Sequence, residues 1–423
     1  MKQMNEQPEA LLRRVFDAAV AAADPARCVP QYLPPPPRGK TIVVGAGKAV
    51  AAMAKAVEDH YPADVSGTVV TRYGHSGPTR CIEVLEAGHP APDDAGVRAA
   101  ERIMALARAC GPDDLLMVLI SGGGSALLTL PAPGISLADK KQVSAGLLKS
   151  GATIDDINCV RKHISAIKGG RLAAAAGAGR IVTLLISDVA GDKPTVIGSG
   201  PTVGDPTTLA DAKNVLERYR IPVPDSVRAY LDDPAHETPK PDDACFERTQ
   251  TVLVATPRQS LDAAAKAARE AGLATVLLGD AIEGESHDVA ATQASLAREA
   301  ASEIHPGLPA RLLLSGGETT VTVRGAGRGG PNTEFLLALA IALDGHPGIY
   351  AIACDTDGID GTEDNAGAII RPDTLQRAAA KGLDPRAFLT DNNAYAFFEA
   401  LGDLVRTGPT RTNVNDFRAI LIA

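Results

Sequence analysis

"TIVVGAGKAV", residues 41–50, combines a β-branched run with a turn at Gly45 and Gly47 and a helix-like continuation. A strand that passes through a glycine turn into a helix is the opening unit of a dinucleotide-binding α/β fold. Val50, however, stands where that motif needs a third glycine, and Lys48 follows the second. Helix-start amides and an ammonium group suit a phosphate or carboxylate. The stretch therefore predicts an anion site at Lys48, the alternative being a tight turn that exposes a lysine.

The same order of strand, turn and helix recurs along the chain. Strand-like runs that end in glycine, aspartate or proline occur at 115–124, 181–188, 251–257 and 311–325, with helical patterns between them. Such alternation predicts an α/β fold, and ligands of parallel sheets bind at the carboxyl ends of the strands.

The stretch 231–248 interrupts this rhythm with three prolines and several carboxylates, and its composition is typical of a linker. The sequence therefore predicts two domains. Residues 1–240 form an N-terminal Rossmann-like domain whose mainly parallel sheet carries helices on both faces. Residues 241–423 form a C-terminal α/β domain, and its "TTVTV" segment indicates a mixed sheet.

Composition excludes several classes of partner. The net charge of −9 argues against nucleic acid and anionic membranes, so we expect a small-molecule substrate. The six cysteines lack C-x-x-C spacing, the N-terminal helical pattern has no signal-peptide core, and no apolar run approaches the ~20 residues of a membrane span. These features predict a cytoplasmic protein, with monomer and homodimer both open.

Two further stretches of the N-terminal half could bind anions. "SGGGS" at 121–125 can form a backbone nest for anionic oxygens, although a flexible turn is the alternative, and Leu127 stands where a nucleophile elbow needs glycine. The basic stretch 158–172 would place Arg161 and Lys168 on one helix face, unless it is only a solvated surface.

Acidic residues follow two of the predicted strands. Asp188 and Asp192 come after the strand at 181–188, and Asp355 and Asp357 come at the end of a later one. Carboxylates there suit Mg²⁺ or a base for a hydroxyl proton, whereas the spacing at 354–367 does not fit a calcium loop. Turn formation and helix capping are the alternative.

A second glycine loop, "GAGRGGPN" at 325–332, runs into an apolar helix. Amides of the first helical turn and the guanidinium of Arg328 would converge on an anion, with Asn332 as the helix cap. A flexible approach to a helix is the alternative.

Eight motifs in order resemble the glycerate 2-kinase family, whose second half carries the MOFRL domain, here about 310–415. They are "VGAGKA", "AGHPAPD" (87–93), "LISGGGSALL", "VRKHISAIKGGRLA", "SDVAGD", "SGGETTV", "GGPNTE" and "DTDGIDG". The resemblance implies a two-domain α/β enzyme that uses ATP and Mg²⁺ to phosphorylate D-glycerate at the 2-hydroxyl, giving 2-phosphoglycerate in a cleft between the domains.

The resemblance also implies catalytic roles. Lys48 and Arg328 would neutralise charge on the transferring phosphoryl group, and Asp188 would orient or deprotonate the substrate hydroxyl. Many relatives have arginine where this chain has Pro331, and Arg328 is the substitute that the sequence offers.

Binding roles follow in the same way. Asp357, with Asp355 or Asp192, would bind Mg²⁺. The substrate contacts are assigned to Ser121, Gly122, Gly123, Gly124, Ser125, Arg161, His163 and Lys168. The nucleotide contacts are assigned to Gly45, Gly47, Ser315, Gly316, Gly317, Glu318, Gly329, Gly330 and Asn332.

Two other functions stay open at this point. An NAD(P)H-dependent hydroxypyruvate reductase, a label that some relatives carry, would bind pyrophosphate at the first turn, but the third glycine is missing and the acidic clusters would have no task. A non-catalytic protein that binds nucleotides or small anions would need only the glycine loops.

Overall fold

The computed structural model describes residues 7–305 and 308–423, which form two α/β units. The first unit is Pro25–Val254. The second is Ala255–Ala423 together with helix α1 (Pro8–Ala22) and the residues after it up to Asp24. Each unit has its own six-stranded sheet. Residues 1–6 of the predicted N-terminal helical pattern lie outside the described residues.

The sheet of the first unit has the order β3-β2-β1-β4-β5-β6. Its strands are β1 (Thr41–Ala46), β2 (Val65–Arg72), β3 (Ile82–Ala87), β4 (Leu115–Ile120), β5 (Arg180–Ile186) and β6 (Thr249–Ala255). The pairs from β3 through β5 are parallel. All residues of β1 and β4 are buried, as expected for central strands of a covered parallel sheet. Strands β1, β4 and β5 are neighbours, so their carboxyl ends lie at one edge.

Nine helices of the described residues belong to this unit. They are α2 (Pro25–Cys28), α3 (Val50–His60), α4 (Asp94–Ala109), α5 (Gly124–Leu127), α6 (Leu137–Lys149), α7 (Ile154–His163), α8 (Arg171–Ala175), α9 (Leu209–Arg218) and α10 (Asp225–Asp232). Short 3₁₀ turns occur at Val29–Tyr32, Ile197–Ser199, Pro234–His236 and Ala244–Phe246.

The stretch 231–248 is not a linker but part of the first unit. Arg171 donates a 2.6 Å hydrogen bond to the carbonyl of His236, and Arg248 donates one of 2.8 Å to the carbonyl of Ala178. Its prolines make turns whose carbonyls are satisfied by neighbouring elements, and composition alone does not distinguish such turns from a solvated connection. The division between units falls after Val254, at the end of β6, instead of near residue 240.

The second unit has a mixed sheet, as the sequence predicts, in the order β13-β12-β11-β14-β9-β7. Its strands are β7 (Ala274–Gly279), β8 (Gly284–Glu285), β9 (Arg311–Gly317), β10 (Thr319–Thr320), β11 (Ile349–Asp355), β12 (Gly367–Ile370), β13 (Leu404–Val405) and β14 (Asp416–Ile422). Strands β7 and β9 are parallel, and the other pairs of this sheet are antiparallel. Of the "TTVTV" segment only Thr319–Thr320 is a strand, paired with β8 outside the large sheet.

The helices of the second unit cover both faces of its sheet. After α1 they are α11 (Pro257–Glu270), α12 (Ser286–Ser302), α13 (Pro331–Leu343), α14 (Thr374–Ala380), α15 (Pro385–Thr390) and α16 (Ala394–Leu401). The apolar face of α1, including Leu11 and Phe16, is buried with Leu261 of α11 and Phe417 of β14. Helix α1 therefore contributes to the core of the second unit, although the sequence assigns it to the first. No helix of the described residues is long and apolar enough to cross a membrane.

Candidate active site

The turns after β1 and β4 are tied together by their backbones. The amide of Lys48 donates to the carbonyl of Gly122 at 2.8 Å, and the amide of Ala49 donates to Oγ of Ser121 at 3.0 Å. This pairing is possible because the two strands are parallel neighbours that end at the same level. It fixes Lys48 beside the "SGGGS" segment, as expected for ligand-binding turns of such a sheet.

Close approach explains two of the glycines. Gly47 has φ +145°, and a Cβ there would lie 2.1 Å from Oγ of Ser121. Gly123 has φ +79°, and a Cβ there would lie 2.9 Å from Nε2 of His89 and 3.3 Å from Cγ of Lys48. The missing side chain therefore lets the lysine stem and the imidazole approach each other. His89 was not predicted as a site residue, although it lies in the "AGHPAPD" motif.

A cavity of about 540 Å³ opens beside this turn in the first unit. Gly123, Ser125, Arg161 and Lys168, all predicted from the sequence, line it. The other lining residues were not predicted, and they are His89, Pro90, Ala91, Pro92, Ala126, Thr129, Lys140, Lys141, Ser144, Ala145 and Leu148. The volume is in the range of small-molecule sites.

Lys168 is fully buried in the wall of this cavity. Its Nζ donates to the carbonyl of Ser125 at 2.8 Å, with longer contacts to Oγ of Ser125 (3.4 Å) and the carbonyl of Gly198 (3.5 Å). Burial, together with repulsion from Lys140 and Arg161, holds the pKa of Lys168 well below its ordinary value. The ammonium group is thus held by neutral acceptors alone among the residues that the structure describes.

Lys140 is a second buried cation of the cavity. Its Nζ donates to the carbonyl of Ile164 at 3.3 Å, and burial, with repulsion from Arg161, lowers its pKa to about 7. Burial also lowers the pKa of Arg161. Within residues 7–305 and 308–423, no carboxylate forms an ion pair with these two cations or with Lys168. Buried charge without a partner is unfavourable in the empty protein, so the cavity is built to receive an anion.

Because Lys140 lacks a counter-ion, we predict that Lys140→Met stabilises the protein by about 1 kcal/mol or more at pH 6. The folded pKa of about 7 lies below the unfolded value near 10.5. Below pH 7 the lysine is charged in both states, and its desolvation opposes folding in full. Between pH 7 and about 10.5 only the unfolded state keeps the proton, so wild-type stability rises relative to the variant. Urea unfolding at pH 6 and 9 measures this.

Lys149→Met is the matched control, because Lys149 lies exposed at the end of the same helix. Its stability relative to wild type should not change between the two pH values. A Lys140→Met protein that is less stable than wild type at pH 6 would show that the lysine makes compensating contacts.

The segment that carries Lys168 differs from the predicted helix. Helix α7 ends at His163, and Lys168 lies in the turn before α8, so the expectation that Arg161 and Lys168 share one helical face is wrong. Gly169 (φ +56°) and Gly170 (φ +80°) adopt left-handed conformations, and their amides donate to the carbonyls of Ser199 (3.0 Å) and Gly200 (2.7 Å). The glycine pair thus reverses the chain and still brings the lysine to the cavity.

His163 is not among the residues that line the cavity. Its Nδ1 lies 2.8 Å from the carbonyl of Cys159, and its Nε2 lies 3.0 Å from Oε1 of Glu237. Beside it, Lys162 and Asp205 form a buried 2.6 Å ion pair. These contacts fasten the segment around Glu237 to helix α7, and they give His163 a structural environment.

The loop after β5 brings two aspartates to the carboxyl edge of the sheet. Asp188 is half-buried and follows β5, the neighbour of β4. Asp192 has φ +54°, and its buried Oδ1 accepts no hydrogen bond from the described residues. Further along, Oγ of Ser199 lies 2.7 Å from Oγ of Ser125, which connects this loop to the cavity wall. A buried carboxylate oxygen without a donor suits a cation ligand.

In the second unit, a protein carboxylate occupies the predicted anion site at the start of α13. The amides of Asn332 and Thr333 both donate to Asp360 at 2.9 Å. Asp360 is fully buried, and burial raises its pKa to about 6. A Cβ at Gly330 would lie 2.4 Å from Oδ1 of Asp360, so this glycine allows the close approach. The sequence did not indicate that Asp360 fills this position.

Arg328 lies in a surface ion-pair network. Its side chain is 55% exposed, and its guanidinium lies 3.2 Å from Glu363, 3.7 Å from Glu399 and 4.6 Å from the ring centre of Tyr395. Gly329 precedes the helix with φ +157°. The structure therefore gives Arg328 partners of its own within the second unit.

The remaining predicted residues of the second unit lie at strand ends. The amide of Asp357 donates to Asp355 at 2.8 Å, and Asp357 accepts from the amide of Ile359 at 2.9 Å, which is turn geometry. Nε2 of Gln293 donates a 3.0 Å hydrogen bond to Oγ of Ser315. Gly316 and Gly317 are buried, their carbonyls accept from Arg418, and Glu318 is exposed. No group of three or more His, Cys, Asp or Glu in the described ranges could hold a metal by itself.

Comparison with known proteins identifies the family. Residues 11–232 match a domain of unknown function, DUF4147, and residues 311–416 match the MOFRL family. A D-glycerate 2-kinase from Thermotoga maritima is 38% identical over 97% of this chain and 98% of its own length. The crystal structure of glycerate kinase from that organism covers 98% of this chain and 100% of its own with a TM-score of 0.88. The chain belongs to the glycerate 2-kinase family.

Two other relatives also match this chain over most of its length and most of their own. A glycerate 2-kinase from Pyrococcus horikoshii is 41% identical over 89% of this chain and 86% of its own length. A protein from Agrobacterium vitis that carries the provisional name hydroxypyruvate reductase is 55% identical over 97% of this chain and 94% of its own. The family assignment and the α/β fold predicted from the sequence are thus confirmed, and both labels mentioned there recur among the relatives.

Proposed function

We propose that this protein is a cytoplasmic kinase that transfers the γ-phosphoryl group of ATP to the 2-hydroxyl of D-glycerate, giving 2-phosphoglycerate. The observation that carries the proposal is the cavity beside the turn of Lys48, which is lined by the buried Lys140 and Lys168 and the partly buried Arg161. Phosphoryl transfer depends mainly on positioning and charge neutralisation, and this arrangement supplies cations without a nucleophile of its own.

The cavity accounts for recognition of a hydroxy acid. Arg161, Lys168 and Lys140 would bind the glycerate carboxylate, which replaces the missing counter-ion. His89 and Ser125, which also line the cavity, are within the same wall and can hydrogen-bond the hydroxyl groups. The acid is thereby oriented with its 2-hydroxyl toward the turns at the sheet edge.

The turns at the sheet edge would carry the transfer. Lys48 would neutralise charge on the phosphoryl group, and Asp188 would orient or deprotonate the hydroxyl. Asp192 offers Mg²⁺ its buried Oδ1, and Mg²⁺ commonly uses one or two protein carboxylates together with phosphate oxygens, so a cluster of three acids is not required. When bound, Mg²⁺ neutralises charge on the phosphates.

The contributions of the second unit stay predictions. These are the charge neutralisation by Arg328, the Mg²⁺ contacts of Asp355 and Asp357, and the nucleotide contacts of its two glycine segments. Arg328 would have to leave Glu363, and the amides of α13 are already used by Asp360, so the nucleotide would have to be bound by other groups of these segments.

The structure disfavours binding of a dinucleotide at the first turn. The amides of Lys48 and Ala49, which pyrophosphate would need, are used by Gly122 and Ser121. Val50 begins α3 where a third glycine would be required. These contacts argue against the NAD(P)H-dependent reductase that the provisional name of some relatives suggests.

We therefore predict that turnover of D-glycerate requires both ATP and a divalent cation. Formation of ADP and phosphoglycerate, measured directly by ³¹P NMR so that no metal-dependent coupling enzyme is needed, should depend on D-glycerate and cease with excess EDTA, because the charge on the phosphates would then lack the metal. The parallel assay contains hydroxypyruvate and NADH alone. Rapid NADH oxidation there, without ATP-dependent turnover of glycerate, would establish the reductase instead.

A further inference from the structure

The charge of the cavity exceeds what glycerate can neutralise. Lys140 and Lys168 are buried in its wall, Arg161 is partly buried there, and Lys141 and His89 also line the cavity. The nearby acid Asp205 is already paired with Lys162. Glycerate carries one negative charge, so it can compensate only one of these groups when all of them are protonated.

The energetic consequence depends on burial. Each of the three cations is largely removed from water, and they repel one another. In such surroundings a second negative charge on the ligand gains far more than it would at an exposed site, where water and salt screen it. Neutral carbonyls accept hydrogen bonds from Nζ of Lys168 and Lys140 but do not compensate a positive charge, so a second negative charge on the ligand also favours the protonated form of both lysines.

The size of the cavity points in the same direction. Its volume of about 540 Å³ leaves room beyond a three-carbon acid, and Ser125, Thr129 and Ser144 supply hydroxyl groups for further oxygen atoms. A ligand with two acidic groups could thus use several cations and hydroxyls at once.

We infer that this cavity binds small oxyacids with two or more negative charges, either phosphate esters of hydroxy acids or hydroxy dicarboxylates, more tightly than it binds glycerate. The inference rests on the proposed function in placing the acid substrate in this cavity. It adds that the phosphorylated product and dicarboxylate analogues compete with glycerate for the same cations.

Calorimetric titration without nucleotide or metal tests the inference directly. The ligands are D-glycerate, tartronate, 2-phosphoglycerate and glycerol at one ionic strength. Tartronate has the three carbons of glycerate with a carboxylate in place of the terminal CH₂OH, so it isolates the effect of charge. We expect tartronate, 2-phosphoglycerate or both to bind at least tenfold more tightly than D-glycerate, and glycerol not to bind. If only one of the two acids binds tightly, that acid shows whether the cavity prefers phosphate esters or dicarboxylates.

Lys140→Met should reduce the tenfold advantage to about threefold or less, and Lys149→Met, on the same helix but outside the cavity, should leave it unchanged. If Lys140→Met does not fold, the salt dependence of wild-type binding decides, because a ligand with more charge should lose affinity more steeply with added salt. Equal affinities for the three acids, or equal losses in both variants, would overturn the inference. A protein that phosphorylates glycerate yet shows equal affinities would refute this inference alone, leaving the kinase proposal intact.

Discussion

Lys48→Ala should lower the turnover number for D-glycerate by about 10²-fold or more, the usual effect of losing one preorganised electrostatic contact to a transition state. The fold should be retained, because the amides of Lys48 and Ala49, which donate to Gly122 and Ser121, stay in place in the variant. Initial rates at saturating ATP and Mg²⁺, together with thermal unfolding, measure the two quantities separately.

Two variants distinguish this role from a general effect of charge. Lys48→Arg keeps the charge but places a larger, planar group beside Gly123 and His89, so it should also impair turnover. Lys55→Ala removes an exposed lysine of α3 that pairs with Asp59, and its rate should equal that of wild type. Full activity of both Lys48 variants would return this lysine to a surface role.

The second large effect is expected for Lys168→Met. Loss of a buried cation that contacts the substrate carboxylate should lower kcat/KM for D-glycerate by about 10²-fold, mainly through KM, while KM for ATP changes little. Methionine has a similar length and no charge, so it removes a desolvated ammonium, although the carbonyls of Ser125 and Gly198 lose a donor. Steady-state kinetics with each substrate varied in turn measure the effect.

Lys149→Met again serves as the control, and it should leave both KM values unchanged. An equal loss in kcat with no change in KM for glycerate would indicate that Lys168 only supports the wall of the cavity through Ser125. In that case the carboxylate must be bound by Arg161 and Lys140 instead.

The sequence predicted the parts of the fold that depend on local pattern. Apolar runs ending in glycine predicted the parallel strands, and the residues after β1 and β4 were expected to form an anion site because adjacent parallel strands end at one edge. The mixed sheet was also predicted, although the "TTVTV" segment on which that prediction rested contributes only Thr319–Thr320, which lie outside the large sheet. The positions of Lys48, Ser125 and Asp188 after the ends of strands could therefore be predicted from the sequence.

Contacts between residues that are distant in the sequence could not be predicted from local sequence patterns. Lys140 lies in a polar helix, where a lysine ordinarily faces solvent, and it is buried only because the chain around Ile164 folds over it. Asp360 caps α13 although it lies 28 residues after Asn332, so the local sequence around Asn332 does not predict this contact. Lys168 lines the cavity, but the helix that was expected to carry it there ends at His163, and its contact with substrate stays a prediction.

Helix α1 has a consequence for how the chain is made. It is synthesised before Pro25–Val254, whereas the surface it covers, formed by α11 and by β14 around Phe417, is synthesised after that unit. During translation its apolar face therefore has no permanent partner while Pro25–Val254 is produced, and that unit can fold in the meantime. The second unit is completed only when α1 packs on residues that follow Val254, so a fragment starting at Ala255 would expose the patch that Leu11, Val15 and Phe16 normally cover.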